Sequence, residues 1–110
     1  MIYIACPYTD DSSAVMEARY GAVTRYAGEL MKIGVLVYSP ITHNHPIAKM
    51  CTLPRGWEFW AGYDMAMLGK SSQMIVLTLD GWEESKGLRH EVEFCNKYKI
   101  PVTYVCNPYV

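Results

Sequence analysis

The constraint that narrows the fold most is an alternation. Four short apolar, β-rich runs lie at 1–6 (MIYIAC), 35–38 (VLVY), 73–79 (QMIVLTL) and 101–105 (PVTYV), separated by stretches of helical character. The runs are continuous rather than alternating in polarity, so each reads as a strand buried on both faces. Parallel strands of that kind need helical crossovers on both sides of the sheet. The order βαβ(α)βαβ therefore predicts an α/β domain. It is a doubly wound, three-layer α/β/α arrangement around a small parallel sheet, of Rossmann or flavodoxin-like type.

The helical stretches carry their own punctuation. Ser12 and Ser13 offer N-caps, with Glu17 in the first turn. Val15, Ala18, Ala22, Tyr26 and Leu30 fall near one face of that helix, and Gly34 ends it. Pro40 stops the second strand. The segment from Pro40 to Arg55 holds three prolines and two histidines. It reads as the longest irregular stretch, with at most a helical turn from Pro46 to Cys51. Residues 57–69 and 85–97 read as helices, and Asp80-Gly81 as a turn. A chain of 110 residues fits one domain over 1–110.

Composition removes several classes. With 51% hydrophobic and 19% charged residues the chain is globular rather than disordered. A net charge of −1 argues against a polymeric nucleic acid or a membrane surface as partner. The apolar runs fall far short of the ~18 residues of a membrane span. The N-terminus lacks the basic segment of a secretion signal. Cys6, Cys51, Cys95 and Cys106 form no CxxC pair, so they read as reduced and mostly buried thiols of a cytoplasmic protein. Three Trp and nine Tyr stand against two Phe. That bias suits either a binding cleft or subunit interface, or a Tyr-rich core.

Doubly wound sheets bind ligands beyond the carboxyl ends of their strands, which points to loops 6–12, 39–56 and 79–87. Two acids fall on sheet-facing positions nearby. Leu88, Val92 and Cys95 form the apolar stripe of the last helix, and Glu91 lies beside it. Its place near the helix N-terminus favours ionisation. Glu91 is thus expected to be a partly buried, ionised nucleophile or base. Asp64 shares a face with Trp57, Trp60, Ala61 and Leu68. Two carboxyls in one cleft suit glycosidic chemistry, one as nucleophile and one as proton donor, with retention at a separation of about 5 Å. The alternative is that both acids pair with Arg19, Arg55, Arg89 or a backbone amide.

His43 and His45 form an H-x-H. Alternate residues of an extended segment can share a metal, but no Cys, Asp or Glu nearby completes a set. No metal is expected; ligand or loop hydrogen bonding is. The loop CPYTDD lacks the glycines of a dinucleotide site, so no cofactor is expected. Thr9 and the helix N-terminus at Ser12–Ser13 either hold a phosphate or simply cap the helix. Trp82 either stacks on a ligand base or closes the core edge. Ser85 is a candidate N-cap, and Gly87 permits close backbone approach.

In order along the chain, these residues resemble the nucleoside 2-deoxyribosyltransferase-like family. The resemblance runs through Met1-Ile2-Tyr3-Ile4-Ala5, Asp64, Ser71–Leu77, Ser85-x-Gly87-x-x-x-Glu91 and Ile100-Pro101-Val102. It is to a branch of short members carrying GxxVYSPITHxHPIA (34–48) and LDGWEESKG (79–87). The resemblance implies cleavage of the N-glycosidic bond of a nucleoside or nucleoside 5′-monophosphate, with the sugar passed to water or to another base. Glu91 would be the nucleophile and Tyr3 would orient it. Asp64 would handle the proton at the leaving base or hold the sugar. A homo-oligomer is implied, with a neighbouring subunit completing the site. Phosphate-binding members carry a Gly-Ser-x-Arg-Gly-Gly-like first loop, where this chain has Cys6-Pro7-Tyr8-Thr9-Asp10. Pro7, Tyr8 and Thr9 are therefore expected to contact substrate differently, with Arg19 or the His43/His45 segment taking over the phosphate. Arg89 and His90 also depart from the usual residues before the glutamate. The alternative function is a non-catalytic binder of a nucleotide or ADP-ribose-like ligand in the same cleft. A third is an interaction module whose acids are merely ion-paired.

Overall fold

A computed structural model describes residues 1–106. The remaining residues of the single domain read from sequence, 107–110, lie outside the described residues. Strand β1 (Ile2–Ala5) leads to α1 (Ser13–Lys32), β2 (Val37–Tyr38), α2 (Pro40–Cys51) and α3 (Trp57–Gly69). Then come β3 (Gln73–Thr78), a 3-10 turn (Trp82–Glu84), α4 (Lys86–Tyr98) and β4 (Val102–Cys106). All four strands are parallel, in the order β2-β1-β3-β4. The strand order reverses between β1 and β3, which makes their carboxyl ends the switch point of the sheet.

The central strand β1 divides the core. Ile4 and Cys6 pack with Val23 and Ala27 of α1 and with Leu77 and Leu79. Tyr3 and Ala5 face the other way, against Leu68 of α3, Leu88 and Cys95 of α4, and Met74 and Val76. Burying each large apolar side chain contributes about 1.5–3 kcal/mol, so these two clusters hold the three layers together. The fold is the doubly wound three-layer α/β/α arrangement that the strand pattern predicts.

Four local expectations need correction. The segment after β2 is not irregular: α2 is helical from Pro40 to Cys51. Ser39 caps it by accepting from Thr42 N at 3.2 Å, and Pro40 sits in the first turn, where proline is well tolerated. Pro46 lies inside the helix, where it removes one donor and crowds the carbonyl one turn back. In α1 the buried face is Met16, Ala22, Val23 and Ala27, while Ala18 is exposed. A strict four-residue spacing drifts around a helix of 3.6 residues per turn. Cys6 and Cys95 are buried, but Cys51 and Cys106 are exposed free thiols. Finally, β4 is an edge strand with Tyr104 half exposed, not a strand buried on both faces. Among the described residues no helix is long and apolar enough to cross a membrane.

Candidate active site

A cavity of about 370 Å³ opens beyond the carboxyl end of β1. That volume lies in the range of small-molecule sites. Cys6, Tyr8 and Thr9 line it from the loop after β1, and Asn44 and His45 from α2. Arg55 to Trp57 and Glu84 to Leu88 form the remaining walls, and Asp64 and Glu91 reach in from α3 and α4. The three segments expected at the ligand end of the sheet thus meet around both acids.

Glu91 is placed by the capping of α4. Ser85 Oγ accepts from Leu88 N at 3.2 Å, and the helix then buries Leu88, Glu91 and Cys95 as one stripe. Glu91 is 5% exposed. Tyr3 Oη donates to its Oε2 at 2.5 Å. Burial pushes the Glu91 carboxyl up to about 8, against the opposing Tyr3 bond, and the nearby Asp64 charge adds to the rise. The partly buried position expected for Glu91 is in fact almost fully buried. Loss of water outweighs the helix dipole, so the pair Asp64–Glu91 retains a proton near neutral pH. Burial, with the Glu91 charge next, raises the Tyr3 phenol well above its usual range, so it remains a donor.

Asp64 sits one turn before Leu68 on the buried face of α3 and is 8% exposed. Its Oδ1 accepts from Asn44 Nδ2 at 3.0 Å. Asn44 Oδ1 in turn lies 2.8 Å from His43 Nδ1. Burial raises the Asp64 carboxyl to about 6, while the Asn44 bond and the His43 side chain oppose the rise. Among the described residues neither acid has the arginine partner considered from sequence. Their partners are a phenol and an amide.

The other sequence candidates divide. Tyr8, Thr9, His45, Ser85 and Gly87 line the cavity, and Ser85 is also the α4 cap. Tyr3 lies behind Glu91 in the core. Pro7 is fully buried beneath the loop. Arg19 donates to the carbonyls of Tyr8 at 3.2 Å, Thr9 at 3.4 Å and Asp80 at 2.9 Å, strapping two loops together rather than facing the cavity. His43 stacks on Tyr63 with ring centroids 5.5 Å apart. Trp82, in the 3-10 turn before α4, packs against Tyr104 beside a separate depression. Because α2 is helical, His43 and His45 point roughly 200° apart and do not share a ligand. Among the described residues no group of three or more His, Cys, Asp or Glu is placed to hold a metal ion.

Asn44 and Lys86 also belong to the cavity without any sequence expectation, and Trp57 and Arg55 belong to it although sequence marks them only as a helix-face residue and a possible ion-pair partner. For Asn44 a signal exists: a helix over 40–51 puts Pro40, Asn44 and Ala48 on one face, and all three are buried. Trp57 stacks on His90 with ring centroids 5.2 Å apart and planes at 4°. The backbone of Gly87 comes so close that a Cβ there would lie 3.3 Å from Trp57 Cε3.

Fold and site together define a doubly wound α/β protein with two buried carboxyls at its switch point. A family model described as a domain of unknown function, DUF1937, matches residues 1–107, and the chain belongs to that family. No curated protein matches the sequence.

Proposed function

We propose that the protein cleaves the N-glycosidic bond of a nucleoside or nucleoside 5′-monophosphate and passes the sugar to water or to another base, as the resemblance to nucleoside 2-deoxyribosyltransferases implies. One observation carries this reading. Two carboxyls from different helices, Asp64 and Glu91, enter the same cavity. Pairs of that kind divide into acid and nucleophile.

With values of about 6 and about 8, the two groups share roughly one proton at neutral pH. Reaction uses the arrangement with that proton on Asp64 and the negative charge on Glu91. Positive charge developing at C1′ favours it, because a carboxylate beside an oxocarbenium-like centre is stabilised. Tyr3 occupies Oε2 of Glu91, which leaves Oε1 to attack C1′. The C1′–N bond breaks, its electron pair leaves with the base, and Asp64 protonates the base nitrogen. A sugar ester of Glu91 remains. Water or a second base attacks C1′ next, Asp64 takes its proton, and Glu91 leaves as carboxylate. Asn44 holds Asp64 Oδ1, so Oδ2 is the atom that carries the proton.

The same reading extends to a cytoplasmic homo-oligomer acting on a small molecule. Exposed Met50, Phe59 and Tyr63 around the α2–α3 rim support an interface there. Intact-protein mass spectrometry tests the chemistry. Incubation with 2′-fluoro-2′-deoxynucleosides, which slow the second step, is expected to add one sugar to the wild-type protein and none to Glu91→Gln. A wild-type mass unchanged while base is released removes the covalent mechanism.

A further inference from the structure

Glu17, His45 and Tyr8 form a line of hydrogen bonds from the surface to the cavity wall, apart from the two acids. Glu17 Oε1 lies 2.9 Å from Lys49 Nζ and 3.0 Å from His45 Nε2. The His45 side chain is 2% exposed, and its ring stacks on Tyr20 with centroids 4.3 Å apart. Its other nitrogen, Nδ1, is 2.5 Å from Tyr8 Oη. Tyr8 lines the cavity, and Arg19 holds its backbone carbonyl in place.

The outer end sets the polarity of this line. Hydrogen bonds from Lys49 first, and from His45 second, hold the Glu17 carboxyl below its usual range, so it is an ionised acceptor. An acceptor at that point places a proton on Nε2. Lys49 already supplies the balancing positive charge. A single ring proton on Nε2 then gives every group of the line a partner: Lys49 and Nε2 donate to Glu17, and Nδ1 is left to accept from Tyr8. A bare Nδ1 accepts, so Tyr8 gives its single proton to His45. The phenol oxygen then turns only lone pairs toward the cavity.

We propose that Tyr8 acts in the cleft solely as a hydrogen-bond acceptor and selects substrate through one sugar hydroxyl. This rests on the glycosidic reading of the cavity. A sugar hydroxyl has a proton to give. A phosphate dianion has none and meets a lone pair. His45 and Glu17 are positioning residues that fix which way Tyr8 donates.

Two measurements test this. Nitrogen-15 NMR of the histidine rings in the whole protein is expected to show His45 with its proton on Nε2 and none on Nδ1. A proton on Nδ1 overturns the proposal whatever the protein's function. Calorimetry then uses the Glu91→Gln protein, with and without Tyr8→Phe. The probes are adenosine and uridine, each with its 2′-, 3′- and 5′-deoxy analogues. Removing one particular hydroxyl is expected to weaken binding about three- to tenfold when Tyr8 is present and not at all with Phe there. Glu17→Gln, a surface change that frees the ring to adopt either tautomer, is expected to shrink that difference and serves if Tyr8→Phe does not fold. Binding with no such coupling overturns this assignment alone. No binding by any of these probes, together with no base release by the wild type, overturns the glycosidic reading and this assignment with it.

Discussion

Tyr3 on β1 and Glu91 on α4 are 88 positions apart in sequence and are joined inside the core by a 2.5 Å hydrogen bond. The bond opposes the rise that burial imposes on the Glu91 carboxyl. Tyr3→Phe removes it and pushes that carboxyl above about 8. We expect kcat/KM near neutral pH to fall about tenfold or more, with the alkaline limb of the pH profile displaced upward. Denaturant titration is expected to show a cost of about 1–3 kcal/mol, because the buried carboxyl loses its donor.

A reaction that needs one proton on the pair has a bell-shaped profile. The expected apparent values for kcat/KM are about 6 and about 8, belonging to the pair rather than to either acid. Asn44→Ala removes a bond that lowers the Asp64 carboxyl, so the acid limb moves up. Asp64→Asn removes the charge that helps raise Glu91. Its remaining titration is expected to shift down, read by pH-dependent NMR of the carboxyl carbon.

Both acids bind protons more tightly folded than unfolded, so their contribution to stability is greatest in acid. It is lost as pH rises from the ordinary carboxyl range toward about 6 for Asp64 and about 8 for Glu91. Glu91→Gln keeps the shape and deletes the charge. Its Tm is expected to match wild type near pH 5 and to exceed it by about 5 °C or more at pH 9. An equal Tm at both pH values contradicts the buried, protonated Glu91.

Gly81 adopts a left-handed φ of 89°, and a Cβ there would lie 2.6 Å from Arg19 Nη2. Gly81→Ala therefore strains the backbone and displaces the guanidinium that ties the Tyr8–Thr9 and Asp80 carbonyls together. A loss of about 1–2 kcal/mol is expected by thermal or chemical unfolding.

How far these features were legible in sequence depends on how local their causes are. The strands were legible because MIYIAC and QMIVLTL are too continuous to serve as half-exposed strands. Glu91 and Asp64 stood out because Leu88, Val92 and Cys95, and then Trp57 and Leu68, define faces on which an acid is conspicuous. Pro46 and two histidines mask the helix α2, whose cap Ser39 is inconspicuous at the end of a strand. Asn44 is masked with the helix. The direction of Arg19 and the place of Trp82 are set by contacts with Asp80 and Tyr104, distant in sequence, and no periodicity reports them. The contact of Tyr3 with Glu91 is of the same kind; only the family resemblance pointed to it.

The most direct test of the central claim is base release. Purified protein is incubated with ribonucleosides, deoxynucleosides and their 5′-monophosphates, free base is followed by chromatography, and Glu91→Gln and Asp64→Asn serve as paired controls. Release by wild type from at least one member, at least a thousandfold slower with Glu91→Gln (, about three decades for a group bonded to the reacting centre), is the expected result. Release that persists in Glu91→Gln, or no release from any member, contradicts a glutamate nucleophile at the switch point of this sheet.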